Sequence, residues 1–135
     1  MHKIDLLKDM LESKFGVLFR HWLKANPTFS QAYELKQTAS DSIPFSALED
    51  HQALYLQAIK SNHGTLIRVQ GSGGEPDYVY LRNCPASVVI KYPKEFSIID
   101  IDTFLLERSR SKRKSLIASR ARELSTVTVS TSNVR

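Results

Sequence analysis

Glu34 and Lys36 stand two residues apart in the stretch from Tyr33 to Thr38, Tyr-Glu-Leu-Lys-Gln-Thr, and carry the minimum kit for metal-assisted phosphodiester hydrolysis. A carboxylate can hold a divalent cation while a neighbouring ammonium positions or polarises an attacking water. The stretch is strand-like, and side chains in a strand alternate faces. Tyr33 and Leu35 then point one way, and Glu34 and Lys36 share the other. An isolated Glu-x-Lys is more often the solvated edge of an amphipathic strand, so its weight depends on what the fold puts beside it. Three more side chains could join it. Glu12 borders an apolar helical stripe near Phe15, Gly16 and Phe19, and it could aim at the charged face if its helix packs there. Gln52 interrupts an apolar helix face, either as an amide satisfied in the core or as a group aimed into a site. Asp77 follows Pro76 at the head of a strand, as a turn cap or as a metal ligand.

The elements that must position these residues follow from periodicity. Apolar residues at Ile4, Leu7, Leu11, Phe15, Leu18 and Trp22 predict an amphipathic helix over 4–23, stopping at Asn26-Pro27. After the strand over 33–38 and a polar loop, Ser46 and Glu49 have capping-box spacing. The helix they open runs to about Asn62, with Gly64 as its stop and Leu48, Gln52, Tyr55, Leu56 and Ile59 on its inner face. A strand over 65–70 leads to Gly71-Ser-Gly-Gly74, which lacks the Gly-Lys-Ser/Thr continuation of a phosphate-binding loop, so no nucleotide cofactor is expected. Strands over 77–81, 87–92 and 96–100 have short connections that predict antiparallel neighbours. Asp102 caps a helix over 103–109, and Ser115 or Ser119 begins a last helix through Leu124. The Ser/Thr/Val-rich tail over 125–135 is expected to be loosely held. This order predicts one domain over 1–124, α/β or α+β, with a mixed central sheet flanked by helices.

Composition narrows the class. At 135 residues, 41% hydrophobic and 24% charged, the chain suits a single globular domain. Its apolar runs are short, and Lys3, Asp5, Lys8 and Asp9 charge the start, so neither a signal peptide nor a membrane span is expected. The lone Cys84 excludes a disulfide framework and a cysteine-based zinc site, as suits a reducing cytoplasm. Of 19 Lys and Arg, seven fall within residues 108–122, where there is no acid; the remaining 12 face 14 acids. The net charge of +5 therefore resides in one segment, read either as a phosphate-contacting patch or as a solvated helix end.

Glu12 on a first helix followed by Glu34-Leu-Lys36 on a strand resembles the PD-(D/E)xK nuclease core. More narrowly, the run from Tyr33 to Thr38, then Pro44-Phe45-Ser46, then His51-Gln52, is similar to RecU-type Holliday-junction resolvases, including small phage-encoded proteins of this length. Lys112-Arg113-Lys114-Ser115-Leu116 resembles the Arg-Lys-Ser-Ile segment near the end of that family. The likeness spans roughly residues 10–124. It implies a restriction-endonuclease-like fold and a homodimeric endonuclease that uses Mg²⁺ or Mn²⁺ to cut branched DNA, four-way junctions above all, in the cytoplasm of a bacterial or phage-infected cell. In that scheme Glu34 and Asp77 hold the metal, and Glu12 completes the ligand set or holds a metal-bound water. Lys36 orients the water or stabilises the developing charge, Gln52 positions the phosphate or Lys36, and Arg110, Lys112, Arg113, Lys114, Arg120 and Arg122 contact DNA phosphates. One departure stands out: the family's aspartate between the helix Glu and Glu-x-Lys has no counterpart, because residues 13–33 contain no acid. Asp77 is placed as its substitute from a hairpin of the same sheet, ahead of Asp41 and Asp50. Pairing Pro76-Asp77 with Val89-Ile90-Lys91 as the catalytic motif fails because valine cannot coordinate a cation, though Lys91 could touch DNA. A nuclease for other branched or end DNA, and a DNA-binding module without catalysis, are the alternatives.

Overall fold

The computed structural model describes residues 3–26, 31–70 and 72–133, with side chains for 14–26, 31–68 and 73–132. Its centre is a mixed four-stranded sheet that grows from one hairpin. Ala86–Lys91 (β5) and Glu95–Asp100 (β6) are buried on both faces from Ala86 to Ile90 and from Phe96 to Ile99, and mostly apolar there, as expected of strands packed between two layers. Ala32–Gln37 (β1) pairs in parallel with β5, placing Glu34 opposite Val88 and Lys36 opposite Ile90. The Ala32 and Thr38 amides extend this ladder to the Pro85 and Lys91 carbonyls, each at 3.0 Å.

The two faces of the sheet meet different helices. Lys3–Ala25 (α1) packs on one face through Phe15 and Phe19, against Tyr33, Leu35, Val89 and Phe96. Phe96 is fully buried, and its ring centroid lies 5.6 Å from each of Phe15, Phe19 and Trp22. Cutting a buried phenylalanine back to alanine costs about 3–5 kcal/mol, so the docking of α1 depends on Phe96 more than on any surface contact. The opposite face, with Val88, Ile90 and Ile99, is covered by Asp50–Lys60 (α2) and Ile101–Arg110 (α3) through Leu56, Ile59, Ile101 and Phe104. The protein is thus a mixed α+β domain with helices on both faces of its central sheet.

Several predicted elements shift for identifiable reasons. Pro76–Leu81 (β4) pairs not with β5 but with Thr65–Gln70 (β3), as a separate two-stranded sheet. The linker to β5 is held to the end of α2, where the Asn83 amide donates to the Ser61 carbonyl (2.9 Å) and the Cys84 amide to that of Ile59 (3.1 Å). That anchor carries the chain away from β4 before it can fold back. Gly64 (φ +71°) makes the turn into β3, where a Cβ would collide with the Leu81 carbonyl.

The capping box sits three residues later than predicted. Residues 45–47 form a 3₁₀ turn that buries Phe45, Leu48 is buried just after it, and Glu49 becomes the N-cap with Gln52 at N3. Leu48, just ahead of the helix, and Leu56 and Ile59 on the inner face of α2 are buried as expected, but Tyr55 is 51% exposed and Ala53 takes its place. Asp100, rather than Asp102, caps α3, accepting from the Asp102 and Thr103 amides at 3.0 and 3.4 Å.

The tail is not loose where it follows Ala118–Leu124 (α4). Val127–Ser130 (β8) pairs antiparallel with β6 and completes the sheet. Thr128 Oγ1 lies 2.8 Å from the hydroxyl of fully buried Ser97, so the strand also satisfies a polar group that would otherwise be stranded. Two three-residue strands, Ser42–Pro44 (β2) and Ser115–Ile117 (β7), form a second small sheet, too short for alternation to reveal. No helix among the described residues is long and apolar enough to cross a membrane.

Candidate functional site

Alternation along β1 separates its side chains as expected. Tyr33 and Leu35 enter the aromatic layer under α1, and Glu34 and Lys36 face α2. The helix delivers Gln52 to them through its own capping chemistry. Gln52 Oε1 accepts the Glu49 amide at 3.0 Å, which turns Nε2 outward to donate to Glu34 Oε1, also at 3.0 Å. Lys36 Nζ lies 3.5 Å from the same oxygen. One carboxylate oxygen thus receives two side chains, while Oε2 has no partner among the described residues. Glu34 and Lys36 keep 33% and 20% of their side-chain surface, so the pair is partly shielded and still reachable.

The cluster opens into a cleft of about 470 Å³ between β1, α2 and β3, lined by Glu34, Gln52, Tyr55, Ile67 and Arg68. Arg68 was not singled out by sequence. Its signal was faint, a single cation in the otherwise neutral strand Thr65–Gln70.

The other predicted members are dispersed. Glu12 belongs to α1, which packs on the sheet face opposite Glu34, and its side chain lies outside the described residues. Asp77 is exposed on β4, opposite Val69, and does not line the cleft. Its presumed place on the sheet of Glu34 disappears with the rearranged hairpin. His51 is exposed and lies 3.3 Å from Glu49. Lys91 Nζ donates to the Tyr92 carbonyl at 3.1 Å. Asp41 and Asp50 are exposed; the Asp41 carbonyl accepts the Ala118 amide, and Asp50 is 3.9 Å from Arg108.

The basic segment divides in two. Arg120 is held by Glu107 at 2.8 and 3.0 Å and by Glu123 at 2.7 Å. These bonds raise the guanidinium above its ordinary range, and the hydrogen bond from Arg120 is the main cause that lowers the Glu107 carboxyl. Arg122 is held by Glu95 at 2.5 and 3.0 Å. These two cations neutralise the protein's own acids. Lys112, Arg113 and Lys114 make no ion pair among the described residues, and neither does Arg110, which nonetheless lies close enough to Glu107 to help lower it. The loop over 112–114 is exposed and lines a second cleft, of about 640 Å³, with Ser46, Glu49 and Arg108 beside the first turn of α2.

For a hard divalent cation, Glu34 is the one carboxylate that lines the first cleft among the described residues. Magnesium is commonly held by one or two carboxylates, with water and substrate phosphate completing its shell, and Glu34 with its free Oε2 fits that kind of site. No group of three His, Cys, Asp or Glu able to hold a metal occurs among the described residues, which do not include the Glu12 side chain.

Fold and site together define a mixed α+β domain with a glutamate, lysine and glutamine cluster between its central sheet and one helix. Compared with protein-family models, curated proteins and solved structures, the chain matches none.

Proposed function

We propose that the protein is a Mg²⁺- or Mn²⁺-dependent endonuclease with a restriction-endonuclease-like core, acting as a homodimer on branched DNA, four-way junctions in particular. The observation that carries this reading is the convergence of Lys36 and Gln52 on Glu34 in an open cleft. The exposed Lys112-Arg113-Lys114 loop, without an ion pair among the described residues, lines the neighbouring cleft and supports it. Bound at Glu34, the metal supplies a Lewis acid that stabilises charge on the scissile phosphate. Gln52 holds the carboxylate in one orientation, anchored by its bond to the Glu49 amide. Lys36 presents an ammonium beside the position the phosphate would take. The 112–114 loop holds flanking backbone phosphates, giving salt-sensitive affinity without base reading.

A DNA-binding module without hydrolysis is the second reading. It is favoured by Glu34 standing as the one carboxylate of its cleft among the described residues, with Oε1 already engaged by Lys36 and Gln52. Incubation with a labelled four-way junction and a matched linear duplex, in Mg²⁺, Mn²⁺ or EDTA, separates the two. Paired junction cuts that vanish in EDTA and in Glu34→Ala support the nuclease; metal-independent binding with no cutting supports the module. Asp77→Asn and Asp41→Asn tested in parallel identify any second acid.

A further inference from the structure

The β3–β4 hairpin carries a surface that the packing of the domain leaves unused. In its register Leu66 faces Tyr80 and Arg68 faces Tyr78, and paired residues share a face. The opposite face pairs Ile67 with Val79 and Thr65 with Leu81, and it turns Ile67 and Leu81 onto the core. The first face is therefore the outer one. Tyr78, Tyr80 and Leu66 are 60%, 57% and 57% exposed, a large outlay of aromatic surface to leave in water. The Tyr80 hydroxyl donates to the His63 carbonyl. The hairpin's acids, Glu75 and Asp77, lie at the tip and on the other face, leaving Arg68 as the charge on this one. Arg68 also lines the Glu34 cleft. The aromatic face and the candidate site are thus continuous through one guanidinium.

We propose that this face is a stacking platform for unpaired bases of a DNA strand. Tyr78 and Tyr80 lie two residues apart on one strand face, roughly 6.8 Å along it, enough for each ring to take its own base. Arg68 pairs with the backbone phosphate between the platform and the cleft. Aromatic rings beside a cation are the recurrent means of holding single strands without sequence preference. The occupant is an unpaired strand rather than a duplex because a base offers its flat face to a ring only once it is unstacked. The inference deepens the proposed nuclease by naming what it grips at a branch point, yet it concerns binding alone and stands or fails without cleavage.

The test is therefore run in EDTA. A twelve-nucleotide thymidine strand carrying a central 2-aminopurine is titrated with the full-length protein, reading anisotropy and base fluorescence, with the blunt duplex as control. Quenching on binding, with affinity about tenfold weaker or worse in Tyr78→Ala and restored in Tyr78→Phe, supports the platform. Arg68→Ala should weaken binding and reduce its salt dependence. Equal affinity of wild type and Tyr78→Ala for the single strand, or binding without quenching, overturns it. So does a shift of Tyr78→Ala from dimer to monomer in sedimentation with single-strand affinity intact, which would assign the face to a second copy. Glu34→Ala should keep full quenching, so loss of cleavage and loss of the platform are read separately.

Discussion

Helix α2 has a lysine–carboxylate contact at each end, and the two differ in how completely they are satisfied. At its C-terminal end Lys60 Nζ lies 2.9 Å from both oxygens of Asp100 and 2.6 Å from Asp102. All three ammonium donors are used, and Asp100 also caps α3, so the cluster ties two helices together and leaves the lysine no donor for a ligand. At the N-terminal end Lys36 makes one looser contact of 3.5 Å with a carboxylate that keeps an oxygen free and faces a cleft. The same pair of groups is a fastening in one place and an open set of donors and acceptors in the other. Saturation, more than the presence of charge, marks a structural cluster, because an exposed ion pair adds little stability by itself.

The largest test of that contrast is to remove the carboxylate at each end. Glu34→Ala should reduce metal-dependent cleavage of the four-way junction by on the order of 10²-fold or more, as for loss of a group that acts on transition-state charge. Its urea midpoint should match wild type. Lys36→Ala should behave alike, whereas Gln52→Ala should also lose about 1 kcal/mol, because it removes a helix cap. A Glu34→Ala protein that cuts normally, or that unfolds as readily as a core variant, would show that this end too is only a fastening.

How much of this the sequence disclosed depended on range. Alternation along β1 correctly separated Tyr33 and Leu35 from Glu34 and Lys36, because period-two geometry is local. Gln52 stood out since an amide on an apolar face needs a partner, and that partner proved to be Glu34. Asp77 was misplaced for the opposite reason. Strand boundaries were legible, but which strand β4 would pair with was decided by the contacts of Asn83 and Cys84 with the end of α2, and no pattern within β4 encodes them. Arg120 and Arg122 looked like the rest of the basic run, because Glu107 and Glu95 are 13 and 27 residues away in sequence and only Glu123, three residues from Arg120, is local. β8 passed for a loose tail since its partner edge exists only once β6 is in place.

That division of the basic segment gives the next test, smaller than loss of catalysis. Replacing Lys112, Arg113 and Lys114 together by alanine should weaken DNA binding and lower the slope of log affinity against log salt by roughly 2–3, one phosphate contact per residue. Arg120→Ala should leave that slope unchanged, since its guanidinium is spent on Glu107 and Glu123. Equal slopes for the two variants would remove the distinction between paired and unpaired cations.

The smallest effects belong to the saturated end of α2. Lys60→Met should lower stability by only about 1–2 kcal/mol, the value of charged hydrogen bonds discounted for a side chain that is 37% exposed, with cleavage unaffected. Its pH dependence gives the sharper reading. Hydrogen bonds to Asp102 and Asp100 raise the Lys60 ammonium above the ordinary 10.5, so its contribution is fully present below that value and is lost as pH rises through the higher folded value. The gap in urea midpoint between wild type and Lys60→Met should therefore hold constant through neutral pH and close only in strong alkali. Glu107 works in the other direction. Arg120 lowers it below the ordinary 4.5, so the deficit of Glu107→Gln should be present at pH 7 and fade as pH falls below 4.5 through the lower folded value. A gap that closed near neutrality in either variant would place a different group in control, and the fastening would not be the one these contacts describe.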